Sequence, residues 1–240
     1  MEMEIPLAGG RITDGVVRLA DTVRRPAKES SRRIQSALHA LRLAGFYRAP
    51  EFLGFDEKNR EILSFIEGYV PGDLGENSVE QFYMAIDMAR DLHQASRAFA
   101  PEGLVLCHDD LSPCNTVFSA PCRQWDSHPV GIIDWDACAY LPAWEEISYM
   151  CWLWLDLGNE EMDAGLQIQA MGRALDRYGA NEGFREDFPG KLIARMMRVQ
   201  HSFEARGTVD VQGVRQWVGE GVAWVKRHEA AIRAELEEKR

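Results

Sequence analysis

The stretch "VLCHDDLSPCNTVF", from Val105 to Phe118, places a short polar run between two apolar segments that are typical of buried β-strands. Four strongly hydrated side chains fall within it: His108, Asp109, Asp110 and Asn115. Burying such groups costs free energy unless each of them finds a hydrogen-bond partner. The stretch therefore folds either as a tight structural turn or as a loop that binds a charged ligand.

The spacing within this run, H-x-D-x-x-x-x-N, is that of the catalytic loop of kinases and indicates phosphoryl transfer. In such a loop the Asp accepts the proton of the acceptor hydroxyl. An amide oxygen one turn later can bind Mg²⁺, a hard cation that takes oxygen ligands. A second carboxylate must complete the metal site from the end of a buried strand, and Asp134, directly after "VGII", fits that position. The alternative is a capped turn exposed to solvent.

The first third of the chain shows the pattern strand, strand, helix, strand, strand. Two β-branched runs, Val16 to Leu19 and Thr22 to Arg25, flank a turn at Ala20 and Asp21. In "SSRRIQSALHALRLAG" the apolar residues recur at helical spacing up to a terminating glycine, which predicts a helix. Two further predicted strands follow this helix: "PEFLGFD" and "REILSFIEG".

A linker rich in glycine and acidic residues, "EGYVPGDLGEN", precedes a mostly helical remainder. Ser78 opens a helix, and Gln81 three residues later completes a capping box. Val130 to Ile133 is predicted to form a strand. From about Asn159 onward the pattern is helical, including Asp210 to Glu237. The expected fold class is α+β, with a small β-rich part followed by a larger helical part.

The charge of the chain limits its partners. The sequence has 27 Lys and Arg against 38 Asp and Glu, and its formal net charge of −11 would repel nucleic acids and anionic membranes. We therefore expect neither nucleic acid nor membrane as a partner. The N-terminus "MEMEIPLAGG" lacks an apolar core of signal-peptide length, and the most apolar stretch, Ile147 to Leu155, is too short to span a bilayer. These features predict a cytoplasmic protein.

The five cysteines are odd in number and contain no C-x-x-C pair, which favours free thiols in a reducing compartment. A zinc site is the alternative, although the spacing of its candidate ligands matches no usual pattern. Those candidates are Cys114, Cys122, His128 and Cys138.

Together, "HDDLSPCN" and "IIDWD" resemble the H-G-D-x-x-x-x-N and I-D-W motifs of the aminoglycoside phosphotransferase-like kinases. The chain is particularly similar to a short bacterial subgroup often labelled phosphotransferase or trifolitoxin-immunity-like. "AGGRITDGVVRLADTVRRP" resembles the nucleotide loop and third strand of the small lobe, and "AWEEISYMCWLW" resembles the helix after the metal-binding segment. The resemblance implies a protein-kinase-like bilobal fold, with a β-rich N-lobe over residues 1–67 and a helical C-lobe over residues 68–240.

The resemblance also implies roles for individual residues. It makes Asp110 the general base, Asn115 and Asp134 the Mg²⁺ ligands, and His108 a scaffold residue that holds the loop. The hinge that meets the adenine would include four consecutive residues: Ser64, Phe65, Ile66 and Glu67.

Several positions depart from the family pattern. Arg24 is the closest match to the small-lobe Lys that clamps the α- and β-phosphates, and its alternative is a solvated strand residue. The helix Glu that usually pairs with that Lys is missing near Ile34, with Glu29 as a possible substitute. Asp109 replaces a small residue, and would either raise the pKa of a neighbouring carboxyl or point to solvent. Glu146 replaces an Asp.

These features predict a phosphotransferase that uses ATP or GTP and Mg²⁺ and phosphorylates a hydroxyl of a small molecule. The resemblance suggests an aminoglycoside or other antibiotic, a sugar or an amino alcohol as the acceptor. The alternative is a catalytically weak, kinase-like binding or immunity protein that sequesters a small ligand or peptide. A metal-dependent hydrolase using His108 and the Asp pair is disfavoured, because no second ligand His stands at suitable spacing.

Other polar and aromatic residues are open to two interpretations. His93 is expected to be a core histidine rather than a ligand. Core packing is favoured over an acceptor pocket for three tryptophans: Trp144, Trp152 and Trp154. The first turn of a helix is favoured over the rim of an amine-binding site for four acidic residues: Asp156, Glu160, Glu161 and Asp163.

Overall fold

The computed structural model describes residues 3–7, 15–207 and 210–237. The stretch that resembles a nucleotide loop begins at Ala8, so its residues 8–14 lie outside the described part. Among the helices of the described ranges, none is both long and apolar enough to cross a membrane.

Five strands of the N-terminal part form one antiparallel sheet, with the order β1-β2-β3-β5-β4. They are β1 (Ile5–Pro6), β2 (Val17–Leu19), β3 (Thr22–Pro26), β4 (Phe52–Phe55) and β5 (Arg60–Ser64). The four strands predicted in this part of the sequence are confirmed. Strand β1 carries no sequence signal, because two residues are too few to show alternation.

Helix α1 (Ser31–Leu43) connects β3 to β4 and packs on β4. Its predicted apolar face is confirmed, because Ile34, Leu38 and Leu41 are all buried. The helix stops ahead of Gly45, whose φ of 86° lies in the left-handed region that glycine adopts without strain. The small sheet and α1 together make the β-rich part of the α+β fold.

Helix α2 (Val79–Ser96) begins with the predicted capping box. The Ser78 hydroxyl accepts the backbone N–H of Gln81 over 3.2 Å, and the Gln81 side chain accepts the backbone N–H of Ser78 over 2.9 Å. The inner face of α2 is fully buried, including Phe82 and His93. The prediction that His93 is a core histidine is therefore confirmed.

Four short strands frame the polar run in two antiparallel pairs, β6 with β9 and β7 with β8. Their bounds are β6 (Val105–Cys107), β7 (Thr116–Phe118), β8 (Pro129–Ile132) and β9 (Ala139–Leu141). The run itself joins β6 to β7, and Asp134 follows β8 by two residues. Because β6 and β7, which flank the loop, are buried and paired with neighbouring strands, they hold the polar loop on a rigid base.

The remainder of the described chain is helical, as predicted. It contains α3 (Ala143–Trp154), α4 (Ala164–Tyr178), α5 (Glu182–Arg185), α6 (Phe188–Arg206) and α7 (Val211–Glu237). Helix α6 packs along α7 and against α3, which itself lies behind the polar loop. This arrangement makes α3 and α6 the supports of the loop.

The prediction for the tryptophans near α3 holds better than the prediction for the acidic residues that follow them. Trp152 and Trp154 are buried in the core, as predicted, whereas Trp144 is half-buried. The acidic group does not form the first turn of a helix, because it lies almost entirely in the connection before α4. Only Asp163 caps that helix, by accepting the backbone N–H of Leu166 over 2.9 Å.

Candidate active site

Asp110, in the loop between β6 and β7, has both carboxylate oxygens hydrogen-bonded. The Tyr149 hydroxyl donates to Oδ1 over 2.5 Å, and the Asn115 amide donates to Oδ2 over 2.9 Å. Asp110 is half-buried, so solvent still reaches it. Two donors on opposite oxygens hold the carboxylate in one orientation, which is what a proton acceptor in a reaction needs.

Asn115 lies beside Asp134 because of the pairing of the strands that carry them. Thr116 of β7 stands opposite Ile132 of β8, and the Ile133 N–H donates to the Asn115 carbonyl over 2.9 Å. The Asn115 amide nitrogen also donates to the carbonyl of Asp110 over 2.9 Å. Since that nitrogen is committed to Asp110, the amide oxygen of Asn115 is the atom left to act as a ligand.

Asp134 has a left-handed backbone, with a φ of 62°, which Asp tolerates better than most residues. The residue as a whole is exposed to solvent. The surrounding protein atoms and then the negative charge of Asp136 raise the pKa of Asp134, while His108 and Arg25 act against that rise. A cation would relieve this crowding of negative charge. The amide and carboxylate oxygens of Asn115 and Asp134 are the ligand types that Mg²⁺ takes, so these residues fit that ion.

His108 is buried and is committed to the loop structure. Its Nε2 donates to the carbonyl of Ile133 over 3.0 Å, and its ring meets that of Trp135 edge-on at 4.9 Å between centroids. The contact to Ile133 ties the start of the loop to the residue before Asp134. This geometry gives no support to a hydrolase in which His108 binds a metal.

Glu146 of α3 lies fully buried beneath the loop. Its Oε2 accepts the backbone N–H of His108 over 2.5 Å, and its Oε1 accepts that of Asp109 over 3.1 Å. Burial acts to raise the pKa of Glu146, but its interactions with His93 and His108 outweigh burial and place that pKa below its usual value. A charged carboxylate therefore clamps the loop from behind, and the Glu that replaces the family's Asp reaches the backbone without difficulty.

One group of metal-ligating side chains in the described ranges has its ligand atoms within 4.8 Å of one another, namely His93, Cys107 and Glu146. Because both oxygens of Glu146 already accept backbone N–H groups, this group supports the loop rather than forming an ion site. Within the described residues the structure does not bring the alternative zinc ligands together, and none of the five cysteines forms a disulfide. Free thiols were the favoured prediction.

The sequence suggested that Asp109 either crowds a neighbouring carboxylate or points to solvent. In the structure it does neither. It adopts a φ of 65°, which turns its side chain toward α6. Its Oδ1 lies 2.9 Å from Arg195, and its Oδ2 accepts Arg198 over 3.0 Å. Arg198 also lies 3.0 Å from Glu145. Two arginines and two carboxylates thus form a neutral cluster beside the loop.

Of the two arginines of β3, Arg25 rather than Arg24 faces the segment that carries Asp134 and Asp136. Successive strand residues alternate faces, and Arg24 points to the opposite side, where it lies 3.8 Å from Asp56. Arg25 is buried and forms ion pairs with Glu61 at 2.7 Å and with Asp136 at 2.8 Å. The structure therefore does not bring Arg24 to the other predicted site residues. The correction is a shift of one residue, which changes the face.

Glu61 of β5, rather than a Glu of a helix, pairs with Arg25. It is buried, and it accepts from Arg25 over 2.7 Å and from Gln35 of α1 over 2.8 Å. Glu29, the substitute considered from the sequence, is exposed. Arg25 of β3 thus has a carboxylate partner, Glu61, on the neighbouring strand β5. Helix α1 contacts this pair through the side-chain amide of Gln35.

The predicted hinge, Ser64 to Glu67, links the sheet to the helical part. Its Phe65 N–H donates to the Asp21 carbonyl over 2.9 Å, and the Phe65 ring lies 3.8 Å below the Arg18 guanidinium. Arg18 also donates to Glu67 over 3.1 Å. These contacts fix the segment against the β2–β3 turn.

On its other side the same segment meets the strands of the catalytic part. A Cβ added to Gly131 of β8 would lie 2.9 Å from the Ile66 side chain, and one added to Gly68 would lie 2.3 Å from the Phe118 carbonyl. Ser64 ends β5, and its hydroxyl accepts the Glu51 N–H over 2.8 Å. The predicted hinge residues therefore lie where the sheet adjoins β7 and β8.

Sequence reasoning missed Tyr149, Arg195, Arg25 and Glu61. Tyr149 had a usable signal, because it follows Glu146 by three residues on α3 and so shares its face. Arg195 had none, since it lies 86 residues from its partner Asp109. Long-range ion pairs of this kind leave no local pattern.

Known proteins resemble this chain in both sequence and fold. The sequence profile of the phosphotransferase enzyme family matches residues 98–180, which include the polar loop and α3. The trifolitoxin immunity protein of Rhizobium leguminosarum bv. trifolii is 31% identical over 270 aligned residues, which span 98% of this chain and all of that protein.

Two solved structures show a similar fold at low identity. A microcompartment-associated aminopropanol kinase has a TM-score of 0.64 and 11% identity, covering 91% of this chain and 89% of its own. A choline kinase from Streptococcus pneumoniae has a TM-score of 0.61 and 14% identity, covering 93% and 94%.

A third solved structure, the GDP complex of an aminoglycoside 2'-phosphotransferase, has a TM-score of 0.60 and 11% identity, covering 96% of this chain and 93% of its own. These likenesses confirm the expected kinase-like α+β fold. The sequence relative, together with the profile match, shows that the chain belongs to the aminoglycoside phosphotransferase-like family, alongside the trifolitoxin immunity protein.

Proposed function

We propose that this protein is a phosphotransferase that moves the γ-phosphate of ATP or GTP to a hydroxyl of a small molecule. The observation that carries the proposal is the geometry of Asp110, whose carboxylate is held by Tyr149 and Asn115 yet remains open to solvent. A turn that served only the fold would not need a half-exposed carboxylate with both oxygens so fixed.

Asp110 would act as the general base. The acceptor hydroxyl gives its proton to the Asp110 carboxylate as its oxygen forms a bond to the γ-phosphorus, and the bond from that phosphorus to the bridging oxygen breaks to release the nucleoside diphosphate. Tyr149 and Asn115 cannot take that proton, because each already donates its own hydrogen to Asp110. The chemistry therefore falls to one carboxylate.

Asn115 and Asp134 would hold Mg²⁺, which supplies positive charge to the phosphate oxygens when bound. The raised pKa of Asp134 supports this assignment, since crowding by protein atoms and by Asp136 leaves a site that a cation would stabilise. The commitment of the Asn115 nitrogen to Asp110 supports it too, because the amide oxygen is the remaining ligand atom.

Arg25 would contact the nucleotide phosphates in place of Arg24. The ion pair between Arg25 and Asp136 supports this role, because it brings Arg25 within reach of the segment that carries Asp134. The hinge from Ser64 to Glu67 would bind the base. The proposed lobes are residues 1–67 and 68–240, and the nucleotide would bind between them.

The acceptor would be a small molecule, and the neighbours' names include aminoglycoside, aminopropanol and choline. Amine-bearing acceptors are usually bound by carboxylates. Asp109 and Glu145, the carboxylates beside the loop, are already paired with Arg195 and Arg198. The loop surroundings therefore give no preference for a polycationic acceptor over a sugar or another neutral molecule.

The test is phosphate transfer from labelled ATP or GTP to a panel of aminoglycosides, amino alcohols and sugars. Asp110→Asn keeps the shape of the side chain but cannot take the proton, so we expect a rate at least about a hundredfold lower with unchanged nucleotide affinity. Asp109→Asn is the matched control, because it changes the adjacent carboxylate without touching the acceptor. Equal rates for Asp110→Asn and the parent would contradict the mechanism.

A second candidate is a binding protein that sequesters a small ligand or peptide. It is favoured by the similarity to a protein named for immunity to trifolitoxin, and by the arginine that stands where the family has a lysine. Such a protein would bind its ligand equally well with Asp110→Asn. A parent that binds nucleotide but phosphorylates no acceptor in the panel would favour this candidate.

A further inference from the structure

The hydrogen bond from the Tyr149 hydroxyl to Oδ1 of Asp110, at 2.5 Å, is the shortest that the Asp110 side chain makes in the described structure. Tyr149 itself is only 7% exposed. Burial and the neighbouring charge of Asp110 keep the pKa of Tyr149 well above its usual value, so the phenol retains its proton and remains a donor. A buried phenol placed against a carboxylate is a strong, charge-assisted hydrogen bond.

Tyr149 is held from two directions. It lies on α3, three residues after Glu146, so the helix that clamps the loop backbone also fixes the position of the ring. On the other side the Arg195 guanidinium lies 4.2 Å from the ring centroid and donates to the Asp109 carbonyl over 2.8 Å. The same arginine therefore contacts the ring and the residue before Asp110.

The hydrogen bond from Asn115 alone would not fix the orientation of the Asp110 carboxylate. One hydrogen bond to Oδ2 fixes one oxygen, but the carboxylate can still rotate about its terminal torsion, which is a broad and soft coordinate. A second donor on Oδ1 removes that freedom. We propose that Tyr149 is a positioning residue for Asp110, an inference that rests on the proposed role of Asp110 as general base.

This role differs from a purely structural one in what it changes. The Mg²⁺ ligands are Asn115 and Asp134 in the proposed site, and Tyr149 hydrogen-bonds to neither in the described structure. Loss of the hydroxyl should therefore lower the rate of transfer while nucleotide binding stays as it is. A misplaced catalytic group can cost up to about a hundredfold in rate.

The experiment compares Tyr149→Phe with the parent in labelled ATP turnover, with water and the acceptor panel as phosphate acceptors. The ring and its contact with Arg195 are retained, so the variant should fold, which a thermal unfolding curve checks. We expect kcat to fall by about tenfold to a hundredfold, with KM for ATP within twofold. Tyr69→Phe is the matched control, because its hydroxyl also donates to a carboxylate, Glu76 at 2.8 Å, away from the loop.

A double-mutant cycle provides the second readout. In the Asp110→Asn background, Tyr149→Phe should have almost no further effect on kcat, because the group it positions is already disabled. Additive losses would overturn the inference and indicate a general effect on folding. A Tyr149→Phe variant with the same kcat as the parent would also overturn it, because the hydroxyl would then have no effect on the rate. A parent that binds ATP but releases or transfers no phosphate would overturn the proposed function itself, which is a different result from either.

Discussion

The polar loop between β6 and β7 has two faces on which carboxylates lie in opposite electrostatic surroundings. On the supporting face, Glu146 is fully buried, accepts two backbone N–H groups and faces His93, and its pKa lies below the usual value. On the open face, Asp134 is exposed to solvent, stands near Asp136 and Asp110, and its pKa is raised. The supporting carboxylate has its hydrogen-bond partners within the chain, whereas no hydrogen bond to the open one is found among the described residues.

This difference separates structure from function within one small region. A carboxylate whose hydrogen bonds are all supplied by the protein stabilises the fold. A carboxylate crowded by like charge weakens the fold unless a ligand provides the missing cation. Glu146 is thus expected to matter for folding and Asp134 for ligand binding, and each variant below tests that division.

The largest expected effect is a loss of stability when Glu146, on the supporting face of the loop, is replaced. Glu146→Gln puts an amide where a charge faced two N–H donors and His93, so at least one buried donor loses its acceptor. We expect a loss of about 3 kcal/mol in the free energy of unfolding, measured by urea denaturation. Glu145→Gln is the control on the same helix, and it should cost about 1 kcal/mol or less because its ion pairs are nearer the surface. Equal losses would remove the distinction between these carboxylates.

The pH dependence of stability follows from the same residue. The lowered pKa of folded Glu146 means that its contribution is present above the unfolded value of 4.5 and is lost as pH falls through the lower folded value. The parent should therefore lose stability more steeply than Glu146→Gln as the pH falls below about 4.5. Parallel curves of unfolding free energy against pH would show that Glu146 does not carry this dependence.

An intermediate effect is expected on the sheet side, where the two arginines of β3 face opposite ways. Arg25→Met should weaken ATP binding by about tenfold while adenosine binding changes little, because only the contacts to phosphate are lost. Arg25→Lys should retain most of the affinity, since the positive charge remains. Arg24→Met is the matched control and should stay within about twofold.

Calorimetric titration of ATP and of adenosine into each variant measures these affinities. A larger loss for Arg24→Met than for Arg25→Met would restore Arg24 as the phosphate contact. An equal loss of ATP and adenosine binding in Arg25→Met would instead indicate that the buried Glu61, left without its partner, disturbs the fold.

The smallest expected effect is a slight gain in stability, opposite in sign to the loss expected for Glu146→Gln. Asp134→Asn removes a charge that the ligand-free protein does not favour, because the raised pKa means that its charged form costs stability at neutral pH. Since the side chain is exposed, screening limits the gain to about 0.5 kcal/mol or less. The variant should unfold slightly later than the parent without ligand, and the difference should shrink as pH falls. A destabilised Asp134→Asn would contradict the division between the two faces.

Local patterns predicted much of this molecule. The spacing of His108, Asp110 and Asn115 was sufficient to locate the candidate site, because those residues share one short loop. The apolar face of α1 and the capping box of α2 were readable for the same reason, since both depend on residues within one or two turns.

What the sequence did not reveal depends on strand faces and on distant partners. The choice between Arg24 and Arg25 turns on a single step along β3, and a run of β-branched and charged residues does not mark which face is inward. The direction of the Asp109 side chain depends on its ion pairs with Arg195 and Arg198, which no local sequence pattern connects to it. The pairing of Arg25 with Glu61 was hidden because the family pattern directs attention to α1 rather than to β5.

The most direct test of the central claim is thermal unfolding of the parent and Asp134→Ala with ATP, with Mg²⁺ and with both. If Asp134 and Asn115 bind a metal together with the nucleotide, ATP and Mg²⁺ together should raise the Tm of the parent by more than the sum of their separate shifts. Asp134→Ala should fold and show only additive shifts. The same synergy in Asp134→Ala as in the parent would contradict the metal–nucleotide site.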